Sequence, residues 1–128
     1  MITKELIAPK SIVVVGASNN ITKPGGKLLK NLMDNNFKGD LFVVNPQAGE
    51  IQGIKSYSSV SDLPSVEMAV LAIPAAACVD AVEILATQKS TKGFIIISAG
   101  FSEESEEGRR LEQQIVKIVE ENNACLIG

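Results

Sequence analysis

The sequence predicts an α/β fold, a Rossmann-like doubly wound parallel sheet of about five strands in a single domain. Five short apolar runs do not alternate apolar with polar residues, which is typical of strands buried on both faces of a sheet. Segments with a helical spacing of apolar residues lie between these runs, so strand and helix alternate along the chain. The length of 128 residues suits one packed core. Right-handed crossovers then imply a switch point beside the first strand.

The predicted elements follow in chain order. The strands are the runs IVVV, LFVV, MAVLAI, FIII and ACLI, at residues 12–15, 41–44, 68–73, 94–97 and 124–127. Four apolar residues between positions 28 and 33 predict a first helix that ends before Gly39, and residues 75–88 are strong helix formers. The last helix begins after Ser102 or Ser105 as N-cap, and its apolar face consists of Leu111, Ile115, Ile118 and Val119. The stretch from Gln47 to Val66 predicts a loop with one short helix at 59–63.

The composition excludes several classes of function. A net charge of −3, no Trp and one Tyr argue against nucleic-acid binding and against attraction to an anionic membrane surface. No apolar run reaches the roughly 18 residues of a membrane span. The absence of histidine excludes Ser-His and Cys-His nucleophile pairs, histidine metal sites and phosphohistidine chemistry on this segment. Cys78 and Cys125 lie in apolar stretches, which favours buried thiols and a cytoplasmic location.

The loop after the first strand has the composition of a phosphate-binding loop. Gly16 allows a sharp turn, Lys23 adds a mobile positive charge, and Pro24 suits the first position of a helix because it needs no hydrogen-bond acceptor. The other candidate residues are the donors Ser18, Asn19 and Asn20 and the glycines Gly25 and Gly26, which would let a ligand approach the backbone. The same residues would also suit a turn that only packs a strand against a helix.

This loop departs from the better-known phosphate-binding fingerprints. In a dinucleotide fingerprint, Ser18 and Ile21 would occupy the positions of the second and third glycines. Asn45 and Pro46 stand where an acidic residue would hold the ribose, so both departures count against NAD. A Walker loop is excluded because Leu28 follows Gly26-Lys27 instead of Ser or Thr. The later strand ends are likewise small, polar or proline, without a carboxylate.

Three stretches of the sequence contain the strand ends and the loops that follow them: SIVVVGASNNITKPGGKLLKNLMDNNFKGDLFVVNP, VLAIPAAA and GFIIISAGFSEESEEG. Together they resemble the N-terminal CoA-binding domain of the ADP-forming acyl-CoA synthetases, which include acetate–CoA ligases and are similar to the α subunit of succinyl-CoA synthetase. The similarity extends from about Pro9 to Gly128. Its specificity comes from four strand-end signatures in order.

The resemblance implies a Rossmann-like domain that holds coenzyme A across the strand ends. The loop residues implied to lie against the CoA phosphates are Gly16, Ala17, Ser18, Asn19 and Asn20, with Lys23 near the charged end. Asn45 and Pro46 would close a second wall, without the lysine that often follows this pair in the family, since Gln47 stands there. The residues implied to flank the adenine or the pantetheine are Ile73, Pro74 and Ala75. Those implied to offer backbone groups to the thiol-bearing arm are Ser98, Ala99 and Gly100, with Phe101 behind them.

In the family that the sequence resembles, the acyl group passes through an acyl phosphate and a phosphohistidine before ADP is phosphorylated. The histidine and the ATP-grasp fold belong to other domains or to another subunit. The resemblance therefore implies that residues 1–128 are a CoA-binding domain at the N-terminus of a longer ligase, without catalysis of their own. Two alternatives stay open at this point, an NAD(P)-binding oxidoreductase domain and a stand-alone CoA-binding regulatory protein.

Overall fold

A computed structural model of the chain describes residues 9–47, 49–97 and 106–127. Within them, seven strands form one sheet in the order β3-β4-β2-β1-β5-β6-β7. The strands are β1 (Ser11–Val15), β2 (Asp40–Val44), β3 (Glu50–Ile51), β4 (Ile54–Tyr57), β5 (Met68–Leu71), β6 (Gly93–Ile96) and β7 (Cys125–Ile127). All neighbours pair in parallel except β3 and β4, which are antiparallel. The helices described are α1 (Pro24–Asp34), α2 (Ala75–Gln88) and α3 (Glu106–Glu121).

The predicted fold class is confirmed, including the switch point beside the first strand. From β1 at the centre, the sheet grows through β2 and β4 on one side and through β5, β6 and β7 on the other. All five residues of β1 are buried. A continuous run of β-branched residues suits this place, because both faces of the central strand are covered.

The stretch from 47 to 66 corrects the prediction of a loop, because it adds two strands to the sheet. β3 and β4 form a hairpin whose turn residues Gln52 and Gly53 have φ values of 49° and 85°. Positive φ at both turn residues matches the twist of paired strands. The short helix expected at 59–63 is present as a 3₁₀ helix over Val60–Asp62. Strands of two and four residues are too short to show a period, so the sequence pattern missed them.

The core lies on both faces of the sheet. On one face, residues of α2 and α3 such as Leu85 and Ile115 pack with Phe94 and Leu71, all of them fully or almost fully buried. On the other face, Leu29 of α1 packs with Val14 and Val43. The predicted apolar face of the last helix is confirmed, since Leu111, Ile115, Ile118 and Val119 are all buried.

Three further sequence expectations concern the cysteines, the start of the last helix and membrane-spanning segments. The thiols of Cys78 and Cys125 are buried, as predicted. The N-cap expected at Ser102 or Ser105 lies outside the described residues. None of the helices in the described part of the chain is both long and apolar enough to cross a membrane.

Candidate functional site

The loop that follows β1 begins with a glycine whose geometry allows no other residue. Gly16 has a φ of 91°, a left-handed conformation that side chains disfavour. A Cβ on Gly16 would lie 2.4 Å from the carbonyl oxygen of Ala72. The N–H of Gly16 donates to the carbonyl of Val44 at 3.0 Å, so this turn is tied to the neighbouring strand β2. Gly16 therefore fixes where the loop leaves the sheet.

Polar side chains of the loop are used to fold the loop itself. The Ser18 hydroxyl accepts the N–H of Asn20 at 3.0 Å. The Asn20 Oδ1 atom accepts both the N–H and the hydroxyl of Thr22, at 3.0 and 2.6 Å. The N–H of Lys23 donates to the carbonyl of Asn20 at 3.1 Å, and the Lys23 side chain remains exposed. Ser18 and Asn20, predicted as donors, thus act as acceptors that shape the loop, and Lys23 lies exposed beside them.

Helix α1 starts directly at the end of this loop with its positive end uncompensated. Pro24 occupies the first turn, the N-cap residue Lys23 makes no side-chain capping bond, and the first turn contains no acidic residue. A helix N-terminus carries a partial positive charge and unsatisfied N–H groups, which attract anions. The sequence prediction that Pro24 begins the helix is confirmed.

Gly25 and Gly26 bring the first turn of α1 into contact with the loop backbone. A Cβ on Gly25 would lie 2.2 Å from the carbonyl oxygen of Gly16, and one on Gly26 would lie 2.2 Å from that of Asn20. Both glycines are buried. The structure therefore shows that both glycines allow close packing of the helix against the loop. The sequence had predicted that they let a ligand approach the backbone. A contact between either glycine and a ligand stays a prediction.

Asn45, at the end of β2, connects the second strand to the loop after the first. Its Nδ2 atom donates to the carbonyl of Ala17 at 3.0 Å, and its Oδ1 atom accepts the N–H of Gln47 at 2.8 Å. Its own N–H donates to the carbonyl of Tyr57 at 3.0 Å. Asn45 thus links three strands at their carboxyl ends: its partly buried side chain reaches the loop after β1, and its backbone N–H reaches β4.

The β3–β4 hairpin reaches the same loop through Gln52, a residue that the sequence analysis missed. Its Nε2 atom donates to the carbonyls of Ser18 and Gly26, both at 2.9 Å. Its N–H donates to Asn19 Oδ1 at 2.7 Å, and Asn19 Nδ2 donates to the carbonyl of Glu50 at 3.3 Å. The available signal was the Gln-Gly pair between apolar residues, EIQGIKSY, which indicates a hairpin turn.

A cleft of about 460 Å³ opens at the carboxyl ends of β1 and β2. Its apolar lining includes Val44, Val60, Ile73 and Ile84, and its polar lining includes Asn45, Gln47, Ser58, Ser59 and Asp80. Ligands of open parallel sheets bind at this end of the strands, and the volume lies within the roughly 300–1,000 Å³ of small-molecule sites. The cleft contains a carboxylate, from Asp80, and the part of the chain that the structure describes contributes no lysine or arginine to it.

A family model described as CoA binding domain matches residues 10–128, which is nearly the entire chain. The chain belongs to this family of CoA-binding domains. Its relatives include the ADP-forming acetate–CoA ligase II of Archaeoglobus fulgidus, to which it is 40% identical over 98% of its length. A trans-feruloyl-CoA synthase of an unknown prokaryotic organism is 40% identical over 96% of the chain.

Solved structures agree with this family assignment. The apo dinucleotide-forming acetyl-coenzyme A synthetase 1 of Candidatus Korarchaeum cryptofilum matches 98% of the domain with a TM-score of 0.87 and 32% identity. The domain covers 27% of that chain, and it spans 19% and 17% of the two curated relatives. The domain therefore corresponds to a small part of each of these proteins, which are a CoA ligase, a CoA synthase and an acetyl-coenzyme A synthetase and not oxidoreductases.

The CoA-binding domain brings together only some of the predicted site residues. Gly16, Asn45, Pro46 and Ile73 line the cleft. Pro74 is exposed at the N-cap of α2, and Ala75 is buried in the first turn of that helix. Ala17 is buried beside the loop, where its carbonyl accepts the Asn45 amide. The predicted residues Ser98, Ala99 and Gly100, with Phe101, lie outside the described residues.

The charged pairs of the domain lie away from this cleft. Arg110 Nη2 donates to Glu107 Oε1 at 2.6 Å, and this bond together with the negative charge of Glu107 raises the pKa of Arg110 above its ordinary value. Lys30 pairs with Asp34 at 2.6 Å on the exposed side of α1. No residue of α3 lines the cleft as far as the structure describes it. Lys23, the N-cap residue of α1, lies exposed at the end of the predicted phosphate loop.

Proposed function

We propose that this domain binds coenzyme A across the carboxyl ends of β1 and β2. The observation that carries the proposal is the cleft beside Gly16, in a chain whose family is defined by CoA binding. A neutral part of the coenzyme, the adenine or the pantetheine, occupies the cleft between Asn45-Pro46 and Ile73. The phosphates lie outside it, along the loop from Ser18 to Lys23.

The distribution of charge supports this orientation. Asp80, an exposed residue, contributes the carboxylate in the cleft, and its negative charge disfavours a phosphate there. At the loop, the positive end of α1 has neither an acidic residue nor a side-chain cap, and Lys23 is exposed beside it. A phosphate is therefore more stable at the loop than in the cleft. The apolar wall of Val60, Ile73 and Ile84 suits a ring or an alkyl arm instead.

We further propose that the domain is the CoA-binding part of an ADP-forming acyl-CoA synthetase. Such an enzyme converts an acid, ATP and CoA into an acyl-CoA, ADP and phosphate. The two relatives described above are roughly five to six times as long as the domain, since it covers 19% and 17% of their lengths. A chain without histidine cannot itself carry a phosphohistidine, so that step belongs to other domains or to another subunit. Two buried thiols favour a reducing compartment, which we propose is the cytoplasm.

Calorimetric titration of the 128-residue chain with CoA, 3′-dephospho-CoA and NAD in parallel tests the proposal. We expect CoA to bind with a measurable heat and more tightly than NAD. The difference between CoA and dephospho-CoA measures what the 3′-phosphate contributes. Binding of NAD with no heat from CoA would refute the proposed function. If no ligand gives heat, a longer chain that includes the next domain must bind CoA for the proposal to stand.

A further inference from the structure

The contacts between Gln52 and the loop after β1 define a role that no phosphate-binding motif of this sequence indicates. Gln52 lies at the turn of the β3–β4 hairpin, 26 residues beyond Gly26 and 34 beyond Ser18. Its side-chain amide nevertheless joins the carbonyls of both residues, each at 2.9 Å. Ser18 stands at the start of the phosphate loop and Gly26 in the first turn of α1, so one amide group spans the segment between them.

A second pair of bonds connects the same two elements. The backbone N–H of Gln52 donates to Asn19 Oδ1 at 2.7 Å, and the Asn19 amide donates to the carbonyl of Glu50 at 3.3 Å. The Asn19 side chain is therefore held by the hairpin. With the two bonds of the Gln52 side chain, four hydrogen bonds fasten residues 18–26 to the β3–β4 turn.

The direction of these bonds has a consequence for an anion. In a planar trans peptide, the C=O of one residue and the N–H of the next point in opposite directions. Because the Ser18 carbonyl points at Gln52, the N–H of Asn19 points away from the hairpin. Among the residues that the structure describes, none accepts a hydrogen bond from this N–H. Gln52 thereby sets the direction of a donor in the loop before a ligand arrives.

We infer that Gln52 is a positioning residue for coenzyme A, acting through the loop rather than through contact with the ligand. Fixing the loop in the free domain lowers the ordering cost that binding would otherwise include. The inference rests on the proposed function, in which this loop receives the CoA phosphates. It adds the β3–β4 hairpin, which carries none of the predicted site residues, to the parts that determine CoA affinity.

Two variants of Gln52 separate hydrogen-bond donation from packing. Gln52→Met has a side chain of similar length without a donor, whereas Gln52→Lys offers ammonium protons to the same two carbonyls. Gln113→Met is the matched control, because it makes the same change at an exposed position of α3. Amide hydrogen exchange of the loop is measured in the ligand-free chain, where the added charge of lysine has no phosphate to attract. CoA titration is measured on the same samples.

We expect faster exchange of the amides in residues 18–26 of Gln52→Met, and a dissociation constant for CoA about tenfold higher. Gln52→Lys should restore slow exchange, and Gln113→Met should match the unmodified chain in both measurements. Unchanged exchange in Gln52→Met, or equally fast exchange in the Met and Lys variants, would overturn the inference. Failure of the unmodified chain and its longer form to bind CoA would instead refute the proposed function, while the exchange data would still decide whether Gln52 holds the loop.

Discussion

Replacing Gly25 by alanine tests whether the contact between α1 and the phosphate loop is as close as the structure has it. The new Cβ would lie 2.2 Å from the carbonyl oxygen of Gly16 and 3.0 Å from its carbonyl carbon. Ordinary contacts of this kind are about 1 Å longer. The loop would have to retreat by that distance, and the N–H bond of Gly16 to Val44 and the close approach of Gly16 to Ala72 oppose the movement.

The expected cost follows from two opposing effects. Overpacking a rigid contact costs about 1–3 kcal/mol. Alanine recovers up to about 1 kcal/mol relative to glycine through its higher helix propensity. We therefore expect the free energy of unfolding to fall by about 1–2 kcal/mol. With a urea dependence of about 1–3 kcal/mol per molar, the midpoint of denaturation should move down by about 0.3–2 M.

Urea denaturation followed by far-ultraviolet circular dichroism measures this change. Gly49→Ala is the matched control, because a Cβ on Gly49 would have no atom within 4 Å. We expect that variant to keep its midpoint or to gain slightly from the lower entropy of its unfolded chain. Equal midpoints for Gly25→Ala and Gly49→Ala would refute the reasoning, since the two substitutions differ in the space available to the new methyl group.

Three further predictions concern the site and the core. Asn45→Ala removes the hydrogen bond to Ala17 and the acceptor for Gln47, so we expect the free energy of unfolding in urea to fall by about 1–2 kcal/mol and CoA to bind more weakly by calorimetry. Asn45→Asp keeps only the acceptor and should be intermediate. An Asn45→Ala variant as stable as the unmodified chain would contradict the role of Asn45 in linking the strand ends. Lys23→Ala should raise the dissociation constant for CoA about tenfold at low salt and less at high salt. Lys30 pairs with Asp34, so the control variant Lys30→Ala should bind CoA normally. Equal effects of the two variants would contradict a specific contact between Lys23 and CoA. The thiols of Cys78 and Cys125 should react with an aromatic disulfide reagent far more slowly in the native chain than in urea, because both are buried, and rapid labelling of the native chain would be inconsistent with this core.

The central part of the fold could be predicted from local sequence because burial on both faces leaves a continuous apolar signal. The run at 12–15 became β1, and the helix formers at 75–88 became α2 with the same bounds. The β3–β4 hairpin was not predicted, because strands of two and four residues at a sheet edge show no such run. The hairpin belongs to the sheet because β4 pairs in parallel with β2, with Val43 opposite Ser56 and Val44 opposite Tyr57.

The candidate site also combines residues that could be predicted from the sequence with residues that could not. Gly16 and Asn45 were predicted from their position after strands, since the carboxyl ends of parallel strands meet at one edge. Gln52 could not be predicted as a partner of Ser18, because 34 residues separate the two and no motif connects them. The place of Ser59, Asp80 and Ile84 in the cleft could not be predicted either, because these residues reach it from other elements of the fold.

The sequence by itself determined the fold class, the family and the loop that follows β1, because these depend on residue types in a local order. Only the tertiary structure decided what those residues touch. It assigned Gly25 to contact with Gly16, used the Asn19 side chain to hold the hairpin, and put Asp80 in the cleft while Lys23 stayed exposed beside α1. These outcomes depend on distances between segments far apart in the chain. Such distances are set by the packing of two helical layers on one twisted sheet.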